Sequence, residues 1–491
     1  MTIFDSFFQD SKNNFKRNTF PSDWVTPHPA EKYDLVVVGG GPGGMTAATV
    51  ARSFDARVAL VEKEHLGGEC LNYGCIPSKA MFYSSRLAQK IRHAYEYGIE
   101  IPKNWKVNFS AVMRRVHEVQ TTLSPHDSAN HFKSLGIDVF LGAGRFTGPN
   151  QLEVNNQTLK FKKAIIATGT QPVYLNINDL EASDYLTNQT IFSLTSLPAR
   201  LAVIGAGPIS CEFAQAFLHF GSQVTLITHG PKLLPRDDTL ATQRLKEVFE
   251  KEGMKILTNT NLLRAEKRGK EKILYLDTQK EPLVVDEILL GVGRKPAVKG
   301  LSLEKAGVTY DLKKGISTNE YLQTSNTDIY AGGDVASPYK FTHMSMELCK
   351  IAVANALNSH QSKRSALIVP WCTFTTPEIA HIGLNEELAK EQGIATDSIV
   401  IEMKNNDRAV VDGETVGFAK LLIKENQDQI IGATIMAERA GDMISELSAA
   451  LQGEKSLSAI AQAIHPFPTQ PQILRAAAEA LMKKQKTPLP V

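Results

Sequence analysis

The chain has 491 residues, 43% hydrophobic and 22% charged, with 54 Lys plus Arg against 52 Asp plus Glu and a formal net charge of +2. That length predicts about three domains, and the balanced charge argues against a nucleic-acid or acidic-membrane partner. Five cysteines are too few, and odd in number, for a stapled secreted fold, so a reducing, cytoplasmic setting is expected.

The first thirty residues scatter phenylalanines among charges and lack the compact apolar core of a secretion signal. Phe4, Phe7, Phe8 and Phe15 predict an amphipathic arm that packs on the body or on a partner subunit, with membrane-surface docking as the alternative. The uncharged run from Leu35 to Ala51 is interrupted by five glycines and a proline and falls short of a membrane span.

Next, "YDLVVVGGGPGGMTAATVARSFDARVALVEKE" reads as an apolar strand, a glycine turn, a helix and a second strand ending in an acid. A dinucleotide site needs that order: Gly39 for the tight turn, Gly41 for approach to a pyrophosphate, Gly44 for helix–strand packing, and Glu62 to accept hydrogen bonds from a ribose.

The stretch "EHLGGECLNYGCIPSKA" follows, with Cys70 and Cys75 five positions apart. On a regular helix such a pair sits about 140° apart in azimuth, whereas a disulfide needs Cα atoms about 4.4–6.8 Å apart. The "LNYG" segment must therefore bend for the sulfurs to meet, and Gly74 is the residue that permits it. Pro77 suits the first turn of the helix that follows, and a helix N-terminus depresses a thiol pKa. A redox-active disulfide is the reading these features favour. A zinc site built on His65, Cys70 and Cys75 and a purely structural disulfide are the alternatives.

A second strand–turn–helix unit, "ARLAVIGAGPISCEFAQAFLHFGSQVTLITHGPK", sets Gly205, Gly207 and Ser210 in place of the glycine triplet. Its second strand ends in Thr228, followed by His229 and Lys232, so the acid that would repel a 2′-phosphate is missing and two potential cations stand nearby. That leans toward NADPH over NADH; the alternative is that both cations merely face solvent.

Two dinucleotide motifs around a Cys-x4-Cys pair resemble the class I flavoprotein disulfide oxidoreductases, the family of dihydrolipoamide dehydrogenase, glutathione reductase and mercuric reductase. "GGECLNYGCIPSK", "AIIATG", "GVGRKP", "TSNTDIYAGGDVA" and "FTTPEIAHIGL" extend the resemblance from about Tyr33 to the C-terminus. It implies an α/β fold with two Rossmann-like domains and a C-terminal α+β dimerisation domain. The expected boundaries are an arm at 1–31, an FAD domain at 32–173 and 298–366, an inserted NAD(P) domain at 174–297 and a dimerisation domain at 367–491.

The resemblance also implies FAD held by the first motif with Gly68, Lys79, Thr168, Gly169, Asp334 and His343, and NADPH or NADH held by the second with Gly293. Lys79 and Glu212 would form the ion pair beside the flavin, Cys75 would lie against the flavin and Cys70 would face substrate. The protein is expected to be a homodimer that passes electrons from nicotinamide through flavin and the Cys70–Cys75 disulfide to a small acceptor.

The chain departs from the family near its end. Dithiol-handling members carry a "HPTxxE"-like His–Glu pair, but "IHPFPTQPQIL" sets Phe467 at the His position and Gln472 at the Glu position, with His465 two residues early. Neither side chain moves a proton near neutral pH, so disulfide substrates are expected to be poor and a soft metal ion or another non-disulfide oxidant is favoured. Mercuric reductases also lack that His, yet they usually carry a tyrosine there and a C-terminal cysteine pair, which this sequence lacks. Dihydrolipoamide dehydrogenase is the enzymatic alternative, and a redox-sensing flavoprotein with little turnover is the alternative of another class. Pro208 replaces a tyrosine that gates the nicotinamide pocket in many relatives. Cys211, Cys349, Cys372 and His465 are read as structural.

Overall fold

The computed structural model describes residues 13–485 except 176, 178–179, 182–183, 358–361 and 454–455. Phe4, Phe7 and Phe8 of the expected arm lie outside the described residues. Residues 13–19 are helical and lead into contacts with the body: Thr19 O accepts from Leu66 N at 3.0 Å, and Asn18 Nδ2 donates to Ser124 Oγ at 2.8 Å.

A seven-stranded sheet runs Asp138–Leu141, Val58–Glu62, Tyr33–Val38, Gln157–Ile166, Gln151–Val154 and Arg145–Gly148, with Ile329–Ala331 also paired to Gln157–Ile166. Its central strands are parallel, Val37 standing opposite both Leu60 and Ile165. Such strands are unbroken apolar runs because both faces are covered. Leu35, Val37 and Leu60 pack with the helices Pro42–Arg52 and Thr342–Leu357, while Val36, Val38, Ala59 and Val61 pack with Phe146 and Phe161 on the other side.

The second sheet is four-stranded and parallel, in the order Lys255–Leu257, Gln223–Ile227, Arg200–Ile204 and Glu287–Leu290. The chain leaves the first sheet through Thr170–Pro172 and returns through Arg294–Pro296, and these two passages pair antiparallel. The helix Pro208–Phe220 packs against the helix Cys75–Arg92 through one shared core that holds Met81, Phe82, Phe213 and Phe217. The Phe82 and Phe213 rings meet edge-on at 5.3 Å. This contact carries the two nucleotide-type motifs to one cleft.

A five-stranded antiparallel sheet closes the chain, in the order Pro370–Thr373, Glu378–Gly383, Ile430–Ala437, Phe418–Lys424 and Thr396–Glu402. The helices Ala440–Gln452 and Gln472–Lys484 bury Leu447, Ile473 and Leu481 against it. The fold is thus α/β with a C-terminal α+β layer. No helix among the described residues is long and apolar enough to cross a membrane.

Candidate active site

Cys70 belongs to the short helix Gly68–Tyr73, and Cys75 starts the helix Cys75–Arg92. The break between them is Gly74, at φ −131° and ψ −117°. A Cβ there would stand 2.9 Å from Glu69 O and 3.4 Å from the Cys70 Cα, so a side chain would force the two helices apart. The bend brings the two thiols within hydrogen-bonding reach. The hydrogen bond from Cys70 pulls Cys75 down to about 6, with help from Thr342 and Lys79 and against the effect of burial. The same bond, with burial, pushes Cys70 up. Of the two sulfurs, Cys75, at the helix start, is therefore the one favoured as thiolate, and Cys70 holds the shared proton. The third partner, the Thr342 hydroxyl 3.2 Å from Cys75 Sγ, escaped the sequence reading, although its place in "KFTHMSMELCKIA" at a helix start was a visible signal.

One turn beyond Cys75, Lys79 Nζ lies 3.2 Å from Glu212 Oε2, on the helix Pro208–Phe220. Glu212 is buried, and its other oxygen accepts from Phe374 N at 2.8 Å. The Lys79 ammonium also stands 4.4 Å from the Phe374 ring centroid. Cys372 sits nearby at the cleft wall, where burial and the Glu378 and Glu212 carboxylates hold its thiol well above the ordinary range. Cys211 and Cys349 are fully buried.

Cys70, Cys75, Lys79, Glu212 and Cys372 open on one cleft of about 2300 Å³ that runs between the seven-stranded and four-stranded sheets and the C-terminal layer. Gly39, Gly41, Glu62, Gly68, Thr168, Gly169, Asp334 and His343 line one part of it, and Gly205, Gly207, Thr228, His229, Lys232 and Gly293 line another. Gly44 and Ser210 stand behind the wall instead. A Cβ on Gly44 would overlap the Gly39 carbonyl, and Ser210 Oγ reaches Gly291 O at 3.4 Å, so these two set helix–strand packing and do not face a ligand.

The donor set of the first part fits FAD. Gly41 caps the helix Pro42–Arg52 with no side-chain hydrogen bond, which leaves first-turn N–H groups directed at the cleft, the arrangement that receives a pyrophosphate. A Cβ on Gly68 would stand 2.5 Å from the Gly41 Cα, so backbone alone forms this cradle. Glu62 accepts from Gly40 N at 2.6 Å and Glu64 N at 2.7 Å, and burial raises its pKa despite them. Asp334 accepts hydroxyl hydrogen bonds from Thr170 at 3.1 Å and Ser345 at 3.0 Å. His343 donates Nε2–H to Pro370 O at 2.8 Å and stacks on Phe341. Arg294, paired with Glu69 and donating to Thr170 Oγ1 at 2.8 Å, ties the cysteine segment to the chain crossing; the sequence reading passed over it within "GVGRKP".

In the second part, Gly207 likewise caps its helix without a side-chain bond, and a Cβ there would meet nothing within 4 Å. Thr228 is buried at the strand end, His229 is exposed, and Lys232 is engaged by Thr239 and Glu387. Near the C-terminus, Phe467 is 72% exposed, and Gln472 Oε1 accepts from Thr469 N at 3.1 Å. His465 Nε2 lies 3.0 Å from Glu446 Oε2, and its Nδ1 lies 3.2 Å from Ala463 O. Both of its ring nitrogens are taken. His65 Nδ1 contacts Thr19 Oγ1 at 3.2 Å, and no group of three or more His, Cys, Asp or Glu among the described residues is arranged to hold a metal ion.

A thiol pair at a helix start, a buried carboxylate–ammonium pair and two glycine cradles on one cleft define a two-nucleotide redox protein. The chain belongs to the pyridine nucleotide-disulphide oxidoreductase family: residues 33–356 match its family model and residues 369–478 match the family's dimerisation domain. Proteins of this family bind FAD and use NAD(P)H. The chain is 32% identical to a mercuric reductase of Staphylococcus aureus over 448 residues, 91% of this chain and 82% of that protein. It is 33% identical to a dihydrolipoyl dehydrogenase of Thermus scotoductus over 459 residues, 92% of this chain and 98% of that one. Among solved structures it resembles the HOCl-induced flavoprotein disulfide reductase RclA from Escherichia coli in its Cu(II) complex. That match has a TM-score of 0.82 and 25% identity, and covers 92% of this chain and 100% of that one.

Proposed function

We propose that this protein is an NAD(P)H-dependent, FAD-containing reductase whose Cys70–Cys75 pair delivers electrons to a soft metal ion or another non-disulfide oxidant. The observation that carries the reading is the missing proton relay: Phe467 and Gln472 stand where a His and a Glu would be, and His465 is committed to Glu446 and Ala463 O. A disulfide acceptor releases a thiolate that must be protonated. A soft metal ion binds thiolates directly and needs no such proton. The similarity to mercuric reductases and the Cu(II) complex described for RclA support the same acceptor class.

The cleft residues take these roles. Gly39, Gly41, Gly68, Glu62, Thr168, Gly169, Asp334 and His343 hold FAD, with Gly44 setting the helix behind them. Gly205, Gly207, Thr228, His229, Lys232 and Gly293 hold the nicotinamide nucleotide, NADPH in preference, with Ser210 as the packing residue. Bound FAD supplies the two-electron link between nicotinamide and disulfide. Lys79, fixed by Glu212, places a positive charge one turn from Cys75. In the reduced pair Cys75 holds the thiolate and Cys70 the proton; Cys70 meets the acceptor and releases that proton to solvent as a soft metal ion binds its sulfur. The FAD part spans 32–173 and 298–366, the NAD(P) part 174–297, and the C-terminal layer from 367 forms a homodimer, for which the exposed Ile464 and Phe467 provide apolar surface.

Steady-state turnover with NADPH and a panel of Hg(II), Cu(II), a quinone, lipoamide and glutathione disulfide tests the acceptor class. The metal ions or the quinone are expected to be reduced faster than either disulfide. Rapid lipoamide turnover would instead favour a dihydrolipoyl dehydrogenase, the reading supported by 33% identity over nearly the whole of that relative. Arrest after about one reduction cycle in excess acceptor would identify a sensor.

A further inference from the structure

Thr228 ends its strand without the acid that discriminates against a 2′-phosphate, yet a carboxylate reaches the same edge of the cleft from elsewhere. Lys232 Nζ lies 3.1 Å from Thr239 Oγ1 and 3.4 Å from Glu387 Oε2, and the other Glu387 oxygen is hydrogen-bonded to the Thr239 hydroxyl. Thr239 opens the helix Thr239–Lys251 beside the second sheet, whereas Glu387 sits in the first turn of the helix Glu386–Glu391 in the C-terminal layer. Lys232 and Glu387 line the cleft together with Thr228 and His229.

The two elements are fixed against each other by an adjoining network centred on the buried Lys420 and Asp238: Lys420 Nζ lies 2.8 Å from Asp238 Oδ2 and 3.0 Å from Oε2 of the half-exposed Glu386. The backbone carrying Glu387 is thereby pinned next to Lys232, while the Glu387 side chain itself stays 56% exposed and able to turn away. The hydrogen bond from Thr239 holds its carboxyl below the ordinary carboxylate range, so it is charged at neutral pH.

We propose that Glu387 is a specificity-determining residue: an internal counter-anion that occupies Lys232 and competes for it with the 2′-phosphate of NADPH. The proposal rests on the reading of the Thr228–Lys232 edge as the 2′-phosphate pocket. A 2′-phosphate must take Lys232 from Glu387 and lie near its carboxylate; a 2′-hydroxyl meets neither cost. Glu387 thus narrows the preference for NADPH that the missing strand-end acid creates. An exposed pair of this kind shifts an equilibrium by about two- to fivefold.

Calorimetric affinities of the FAD-loaded protein for 2′,5′-ADP and 5′-ADP test this without turnover. Glu387→Gln is expected to tighten 2′,5′-ADP by about two- to fivefold and leave 5′-ADP unchanged. Lys232→Gln is expected to weaken 2′,5′-ADP, and the gain from Glu387→Gln is expected to shrink in that background. Unchanged 2′,5′-ADP affinity in Glu387→Gln alongside a loss in Lys232→Gln would keep the pocket and overturn the role of Glu387, as would equal tightening of both ligands. Absence of any preference for 2′,5′-ADP over 5′-ADP in the wild type, with no response to Lys232→Gln, would overturn the pocket itself.

Discussion

The Thr342 hydroxyl lies 3.2 Å from the Cys75 sulfur although the two residues are 267 positions apart. Each is the first residue of a long helix, Cys75–Arg92 and Thr342–Leu357, so two helix N-termini converge on one sulfur. The positive ends of both helices and the hydroxyl favour the thiolate.

Thr342 therefore has a measurable role in the titration of Cys75. With Cys75 pulled down to about 6, the thiolate prevails above that pH and is lost as pH falls through it. A hydrogen bond to a charged group contributes about 1.5–3 kcal/mol, so Thr342→Val should raise the midpoint by about one pH unit or more. Thr342→Ser should leave it in place. The pH dependence of iodoacetamide alkylation at Cys75 in the reduced protein reads this directly, and an unmoved midpoint in the valine variant would leave the lowered Cys75 pKa to the Cys70 hydrogen bond, Lys79 and the helix ends.

Gly44 is expected to be intolerant of any side chain, because a Cβ would overlap the Gly39 carbonyl oxygen at the turn itself. Overpacking typically costs about 1–3 kcal/mol, and here the displaced element carries the N–H groups that face the cleft. Wild-type protein should purify yellow with about one FAD per chain, since one complete first motif binds one dinucleotide. Gly44→Ala should lose flavin and unfold at lower temperature; full flavin content at an unchanged melting point would contradict the packing role.

His465 is expected to be structural. Its His465→Gln variant loses the contact with Glu446 at 3.0 Å, a partly exposed pair worth about 0.5–1 kcal/mol. A small fall in melting temperature should accompany an unchanged pH profile of turnover. A profile that loses one limb would make this histidine the proton relay.

Restoring the relay should restore disulfide chemistry. Phe467 is 72% exposed, and Gln472 already accepts from Thr469 N through the oxygen that a glutamate would keep. The double change Phe467→His with Gln472→Glu should therefore fit without repacking. It should raise lipoamide reduction by about 10²–10⁴-fold, with flavin reduction by NADPH unchanged in stopped flow. No gain in a correctly folded dimer would show that protonation of the leaving thiolate is not what limits disulfide turnover.

The sequence by itself determined those features whose causes are local. Strand, glycine turn and helix follow one another within about thirty residues at each nucleotide motif, because the apolar run, the turn and the helix start are set by neighbours in the chain. The bend at Gly74 is equally local: it is imposed by atoms of Glu69 and Cys70, five and four positions away. The proposed loss of the proton relay likewise rests on residue identity, Phe467 and Gln472 in the sequence itself.

What only the tertiary structure decided are the partners of charged and nucleophilic groups, since these are chosen by elements that meet in space. Lys79 and Glu212 are 133 positions apart, Thr342 and Cys75 267, and Lys232 and Glu387 155. The split of the two cysteines into thiol and thiolate belongs here too: it depends on a hydrogen bond between the sulfurs and on Thr342 and Lys79 around them. So does Lys232, which the sequence offers as a free cation and the fold hands to Glu387. A charge is a property of a residue, but its electrostatic environment is set by whatever the folded chain packs beside it.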